Sequence, residues 1–312
     1  MKEKSRIVFF GTPPFAGKVL QALIEENFNV VACVTKPDSK AGRKLKLSVS
    51  AVKKIATENN IPVLQPEKMK DEGFSRQLAS LKPEIIIVVA YGKILPASIL
   101  NLPPFGSLNI HASLLPRYRG ASPIQAALLN GDQETGVTIM KMDEQMDTGP
   151  ILAQEKVGLS PGTGLETLHD ALAFVGAKLL IKTLPLYLAG KIIPEPQDND
   201  RASYVKIIKK EDGHLDFSLP AEILARKILA LNPWPGTYVI WRDKSLKILE
   251  AEINEKNNGR KPGQVTVDKG GLYVAAQDRI MAIKKLQLSG RQQTGARDFI
   301  LGHPEIKDAV FA

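Results

Sequence analysis

The sequence predicts an α/β protein: a doubly wound, mostly parallel, Rossmann-like sheet followed by a smaller C-terminal OB-like β-barrel domain. Three observations predict it. Short, almost wholly apolar runs alternate with helical stretches through the first half of the chain, the pattern of a parallel sheet buried on both faces. A polar stretch with two prolines, residues 191–200, interrupts that pattern, as linkers do. Beyond it five strand-like runs recur at close spacing, which favours a small barrel.

Taken in order, the expected strands of the first domain cover residues 7–10, 30–35, 84–90, 107–111 and 136–142, with helices at 15–26, 49–60 and 123–130. A long amphipathic stretch over 165–188 is expected to pack a helix on this domain. Such alternation implies right-handed crossovers, with ligands outside the carboxyl ends of the strands where strand order switches. Past the linker, a helix over 220–231 ends at Asn232-Pro-Trp-Pro-Gly236, and strands follow at 237–241, 246–253, 264–267, 272–276 and 279–288. The domains are therefore expected at 1–190 and 207–312, joined by a linker over 191–206. Trp234 is expected as a core anchor beside its prolines rather than as a platform for a base.

Composition fits a globular chain able to bury a sizeable core, with 44% hydrophobic and 24% charged residues among 312, ordinary fractions for such proteins. No apolar run reaches the ~20 residues that span a bilayer, and residues 7–10 are too short for the core of a signal peptide, so no membrane partner is expected. Cys33, the one cysteine, lies in an apolar strand-like segment; a buried structural thiol in a reducing, cytoplasmic compartment is the expectation. The net charge is +9 and unevenly spread: residues 1–204 carry 24 basic and 20 acidic side chains, residues 205–312 carry 18 and 13. The denser charge of the C-terminal third favours a polyanionic partner.

Two motifs near the N-terminus mislead. Gly11-Thr-Pro-Pro-Phe-Ala-Gly-Lys18 follows a strand and opens a helix. Pro13 stands where a dinucleotide fingerprint needs its second glycine, and the spacing and Val19 fail the P-loop pattern. A small anion at the helix N-terminus remains open. The four histidines, His111, His169, His214 and His303, are scattered without a helical i, i+4 partner, so no metal is expected.

The chemistry gathers further on. In Ser107-Leu-Asn-Ile-His111 the polar residues alternate, which in a strand places Asn109 and His111 on one face, ~7 Å apart. A polar-layer histidine held by a backbone carbonyl would look the same. The break at Ala112-Ser-Leu-Leu-Pro116 sets His111 at the C-terminal edge, and the run Asp143-Glu-Gln-Met-Asp147-Thr-Gly149 is expected to emerge at that same edge from the next strand. Acyl transfer to an amine needs such a set. Asn donates to the developing oxyanion, a protonated His adds charge, and a carboxylate takes up the amine proton. No serine or cysteine nucleophile with a positioned base is evident, so direct transfer is expected.

The run Asn109-Ile-His111-Ala-Ser-Leu-Leu-Pro116-Arg-Tyr-Arg-Gly120, with Asp147-Thr-Gly149 downstream, resembles the signature of the folate-dependent formyltransferases. The resemblance implies Asn109, His111 and Asp147 as the catalytic trio and 10-formyltetrahydrofolate as formyl donor. It implies a folate site lined by Ser113, Leu114, Leu115 and Pro116 and by Tyr91, Gly92, Ile94 and Leu95. Members act on glycinamide ribonucleotide, on amino sugars, or on methionine charged onto initiator tRNA. Three features favour the last, and with it translation initiation. Residues 36–54 hold seven basic side chains against Asp38 alone; the resemblance makes this a tRNA-binding loop with Arg43, Lys44 and Lys46, and an arginine's planar fork suits phosphate or an unpaired base. A solvated surface loop is the alternative. The C-terminal domain has Leu215-Asp-Phe217, Asn232-Pro-Trp-Pro-Gly236 and Ala296-Arg-Asp-Phe-Ile-Leu-Gly302, which are similar to this branch, and Lys206, Lys209 and Lys210 are its candidate RNA contacts. Nothing resembles an appended epimerase, dehydrogenase or decarboxylase. A small-amine formyltransferase is the runner-up, and a monomer is expected.

Overall fold

A computed structural model describes residues 5–41, 46–257 and 259–311. They form two compact units. One comprises Met1–Pro123, Glu134–Gly158 and Leu168–Val205, the other Ile124–Gln133, Leu159–Thr167 and Lys206–Ala312.

The first unit begins β1 (Ile7–Gly11), α1 (Pro14–Glu25), β2 (Val30–Val34), β3 (Ser39–Ala41), β4 (Lys46–Ser48), α2 (Ala51–Glu58), β5 (Val63–Leu64) and α3 (Glu72–Ser80). It continues β6 (Ile85–Val89), α4 (Ala97–Leu100), β7 (Ser107–His111) and β8 (Arg119–Gly120). After α5 (Pro123–Asn130) come β9 (Glu134–Lys141), β10 (Ile151–Gly158), α6 (Leu165–Leu188) and β11 (Tyr204–Val205). β1 and β6 are wholly buried, as their unbroken Ile/Val/Phe runs dictate. Helix starts are set locally: the Ser50 hydroxyl accepts from Lys53 N–H to cap α2, and the Asp71 carboxylate accepts from Phe74 N–H to cap α3.

Seven strands are ordered β10-β9-β7-β6-β1-β2-β5. From β1 the chain builds β2 and β5 on one side, then crosses back to β6 on the other. The switch in strand order thus falls between β1 and β6, and there the Thr12 hydroxyl reaches the Tyr91 carbonyl at 3.5 Å. The pairs of β7 with β6, β6 with β1, and β1 with β2 are parallel, while β9 and β10 are antiparallel additions. β10 escaped the sequence pattern because an edge strand with exposed Gln154, Glu155 and Lys156 carries no continuous apolar run.

α6 is the one described helix long and apolar enough, by length and composition, to cross a bilayer. Its Leu168, Leu172, Leu180 and Leu184 are buried in the fold. A Cβ at Gly176 would sit 3.0 Å from Ile110 and 3.3 Å from Val137, so α6 lies close on β7 and β9. Ile110 faces that helix, which puts Asn109 and His111 on the opposite face.

The stretch 191–206, expected as a spacer between domains, is for most of its length a strap on the first unit. Ile151 and Glu195 exchange backbone hydrogen bonds of 2.7 and 2.8 Å, and β11 pairs in parallel with β8. The second unit also takes in residues 124–133 and 159–167, well before the boundary expected at 207; Arg226, for example, donates to the Asn130 carbonyl at 2.9 Å.

The second unit holds α7 (Ala221–Leu231), β12 (Thr237–Trp241), β13 (Lys244–Lys256), β14 (Val265–Asp268), β15 (Gly271–Ala275), β16 (Arg279–Leu288), β17 (Thr294–Gly295) and α8 (Ala296–Gly302). Its antiparallel strands run β12-β13-β16-β15-β14, with β17 on β16. Register shifts along β13 bend the sheet around Leu224, Ile228, Val239, Leu246, Val274 and Phe299. Trp234 is not the anchor expected: it is 58% exposed, whereas Trp241 is 8% exposed and packs on Phe299. The Asn232 amide, donating to Ile228 O, and Gly236 N–H, donating to Leu231 O, tie the loop down instead.

Candidate active site

His111 closes β7 and is 6% exposed. Its Nε2 lies 2.9 Å from the Tyr118 carbonyl oxygen, and a carbonyl only accepts, so Nε2 donates. Its Nδ1 faces the Asp147 carboxylate at 3.6 Å. Both alternatives open at the level of sequence are therefore realised together: the ring is held by a backbone carbonyl and is paired with a carboxylate. Asp147 is fixed in turn by the Gly120 N–H, which donates to Oδ2 at 2.8 Å. Asn109 is half-buried two residues before His111, and among the described residues its side-chain amide has no hydrogen-bond partner. It is the free donor of the group.

The route of Asp147 to this place differs from the expected one. β9 is antiparallel to β7, pairing Leu108 with Lys141 and His111 with Thr138. β9 therefore ends beside the start of β7, at the sheet edge opposite His111. The chain doubles back there: Met142 N–H donates to Ser107 O at 2.8 Å and Lys141 N–H to Pro150 O at 2.9 Å. A side chain at Gly149 would strike the Lys141 carbonyl, so only glycine permits this return. The loop then crosses the face that carries Asn109 and His111. Asp147 adopts φ 57° and Tyr118 φ 60°, a left-handed region that costs a non-glycine residue ~1–2 kcal/mol. Both groups that engage His111 are thus held against their backbone preference.

The residues expected to line a folate are split by the fold. Ser113 is fully buried and donates its hydroxyl to Arg117 O at 2.6 Å. Leu115 is 3% exposed, its N–H donating to Thr138 and its carbonyl accepting from Gln154. Leu114 and Pro116 keep accessible surface. Along the other segment Tyr91 and Leu95 are buried beside Phe10, Gly92 is exposed with φ 71°, and Ile94 is 80% exposed. The Tyr91 hydroxyl is buried without a hydrogen-bond partner among the described residues, and burial pushes it up to about 12. Backbone at the switch point together with an uncovered apolar side chain fits a flat, polar-edged ring system.

Arg43 and Lys44 lie outside the described residues, and for Lys46 only the backbone, in β4, is described. The base of their loop is firm: β3 pairs with β4, and Lys53 bonds Asp38 at 2.5 Å and Gln65 at 2.7 Å. That bond from Lys53 holds the Asp38 carboxyl below its usual range, so the one acid among seven bases is occupied. Lys206, Lys209 and Lys210 are exposed in the second unit. The residues that sequence reasoning missed are Gly120, Gln197 and Arg119; a two-residue strand and a strap give no periodic signal. Cys33 is fully buried as expected. Among the described residues no three His, Cys, Asp or Glu side chains gather as metal ligands do.

An acceptor-bound histidine, a paired carboxylate and a free amide, on a doubly wound sheet with an antiparallel domain after it, define a group-transfer enzyme. The family described as formyl transferase matches residues 5–184, and that described as formyl transferase, C-terminal domain, matches residues 207–304. The chain is 45% identical over 299 residues to the methionyl-tRNA formyltransferase of Caldanaerobacter subterraneus subsp. tengcongensis, covering 96% of this chain and 97% of that one. It is 44% identical over 294 residues to the methionyl-tRNA formyltransferase of Chloroflexus aurantiacus, covering 93% and 95%. The chain belongs to the formyl transferase family, and its reaction is formyl transfer. Among solved structures, HypX from Aquifex aeolicus in complex with tetrahydrofolic acid shares the fold, with a TM-score of 0.67 at 16% identity over 95% of this chain and 46% of that one.

Proposed function

We propose that the chain transfers the formyl group of 10-formyltetrahydrofolate to the amino group of methionine carried on initiator tRNA. In this reading Asn109, His111 and Asp147 are the catalytic residues. The observation that carries it is the free Asn109 amide on the strand face where His111 is paired with Asp147. The names of its relatives support the substrate. Bound folate supplies the formyl group. The exposed side chain of Ile94, the Gly92 backbone, Leu114 and Pro116 are the surfaces to hold it. Asn109 donates to the formyl oxygen as negative charge builds there. His111, held between acceptors at both ring nitrogens, supports the oxyanion electrostatically rather than by a direct hydrogen bond as now placed. Asp147 takes the proton from the attacking amine, directly or through water; the bond between the formyl carbon and the donor's N10 nitrogen then breaks, that nitrogen takes up a proton, and tetrahydrofolate leaves.

RNA is drawn by the basic loop with Arg43, Lys44 and Lys46 and by Lys206, Lys209 and Lys210, whose phosphate contacts give affinity and register. The protein works in the cytoplasm as a monomer, and its catalytic and RNA-binding domains divide near residues 190–207. The test is incubation with methionyl-tRNA and labelled 10-formyltetrahydrofolate. Labelled formyl-methionine on tRNA is expected; label delivered to a nucleotide amino sugar instead would overturn the assignment of substrate.

A further inference from the structure

The strap on the first unit holds both acceptors of His111. Gln197 Nε2 donates to the carbonyls of Asp147 at 2.9 Å and Gly149 at 2.7 Å. Ser203 Oγ accepts from Tyr118 N–H at 2.9 Å, and its backbone accepts from Arg119 N–H at 2.8 Å and donates to Pro116 O at 3.2 Å. Asp147 and Tyr118 are the two residues that face His111, and both sit at positive φ. Conformations of that kind persist where the surroundings over-determine them, and the strap supplies those surroundings.

The orientation of Gln197 is itself set by a buried cation. Arg119 is 1% exposed. Its Nε and Nη2 donate to Gln197 Oε1 at 3.1 and 2.8 Å, Nη2 also to Asn199 Oδ1 at 2.8 Å, and Nη1 to the Tyr204 hydroxyl at 2.9 Å. A guanidinium only donates and the two loop carbonyls only accept. The Gln197 amide therefore fits one way round: a flip would set N–H against N–H on one side and oxygen against oxygen on the other. Arg119 thus aims Gln197, Gln197 clasps the loop, and the loop presents the carboxylate.

We infer that Gln197, aimed by Arg119, is a positioning residue for formyl transfer that fixes Asp147 against His111. This rests on the catalytic reading of Asp147 given above. The contact runs through the Asp147 backbone and leaves the substrate surfaces untouched, so loss of Gln197 acts on kcat and spares KM. A displacement of about 1 Å in a reacting group costs on the order of 10²-fold.

The experiment compares Gln197→Leu, Gln197→Glu, Asp147→Ala and the double variant Gln197→Leu/Asp147→Ala in full-length protein, with charged tRNA and 10-formyltetrahydrofolate. Gln197→Glu keeps the acceptor for Arg119 and removes both donors, so it should fall with Gln197→Leu. Both are expected to lose about 10- to 100-fold in kcat, with KM for either substrate within about threefold. In the Asp147→Ala background, Gln197→Leu should remove nothing further from the residual rate, while lowering Tm as much as it does alone. A kcat within twofold of the parent for both single variants, beside a severely slowed Asp147→Ala, would make the strap scaffold only and overturn the inference. An equal loss of rate with and without Asp147 would overturn it as well. Normal turnover by Asp147→Ala would instead sink the catalytic reading on which it rests.

Discussion

Asn109, His111 and Asp147 differ in how they are held, and their substitutions should differ accordingly. Removing an oxyanion donor costs on the order of 10²–10³ in kcat. Asn109→Ala should show that loss with tRNA affinity unchanged in filter binding, because its amide has no partner among the described residues to disturb. His111→Ala and Asp147→Ala should also cut turnover to a small residual rate while sparing affinity; near-normal rates in all three would refute the mechanism. Tyr91→Phe discriminates further. A buried hydroxyl without a partner among the described residues costs stability, so the variant should be as stable as the parent or more so, with an unchanged KM for folate. A raised KM would show that folate reads the hydroxyl. Cys33 carries a sign that can be checked against pH. Burial raises its thiol from 9.0 to about 12, so the folded state keeps a proton that the unfolded chain releases near 9.0. Its contribution to stability is complete below pH 9 and is lost as pH rises toward 12. At neutral pH the native thiol should resist alkylation and react once the chain is unfolded in denaturant.

At the scale of elements, the two tryptophans separate loop from core. Trp241→Ala should cost ~3–5 kcal/mol in denaturant melts, as buried aromatics do. Trp234→Ala, with 58% of its surface exposed, should cost within ~1 kcal/mol; a loss equal to that of Trp241 would restore the core reading. Gly120 joins β8 to the site. Its φ of 116° and the Val205 carbonyl beneath its missing Cβ exclude a side chain, and its N–H holds Asp147. Gly120→Ala should therefore lower both Tm and kcat. Hairpin β3–β4, fixed at its base by Lys53 and Asp38, carries the basic loop. Arg43→Ala should weaken productive tRNA engagement; an unchanged rate on tRNA would leave the loop a solvated surface.

For the whole molecule, the charge of +9 and the exposed lysines beyond residue 205 make association with a polyanion salt-dependent. Deletion of residues 207–312 should cause a large fall in kcat/KM on charged tRNA, and the lost part should be the part that salt suppresses in the parent. A truncated chain that kept its kcat/KM would move recognition to the first domain.

The sequence by itself determined the elements and the chemistry. Largely continuous apolar runs bounded by turn signals mark buried strands, so β1, β2, β6 and β9 were legible, and period-two alternation placed Asn109 and His111 on one face of β7. Composition and linear charge marked the basic segments that the proposed function assigns to RNA. Tertiary structure decided what local pattern does not encode. It set the antiparallel direction of β9, and hence the return of Asp147 across the sheet rather than along its edge, because strand direction follows from pairing partners distant in sequence. It turned residues 191–205 from spacer into strap, since isolated polar groups such as Arg119, Gln197 and Ser203 find partners only in the folded chain. It left Trp234 exposed and buried Trp241 against Phe299. Asn109, His111 and Asp147 could be singled out from the sequence as candidates; what holds Asp147 to His111 could be seen only once the chain was folded.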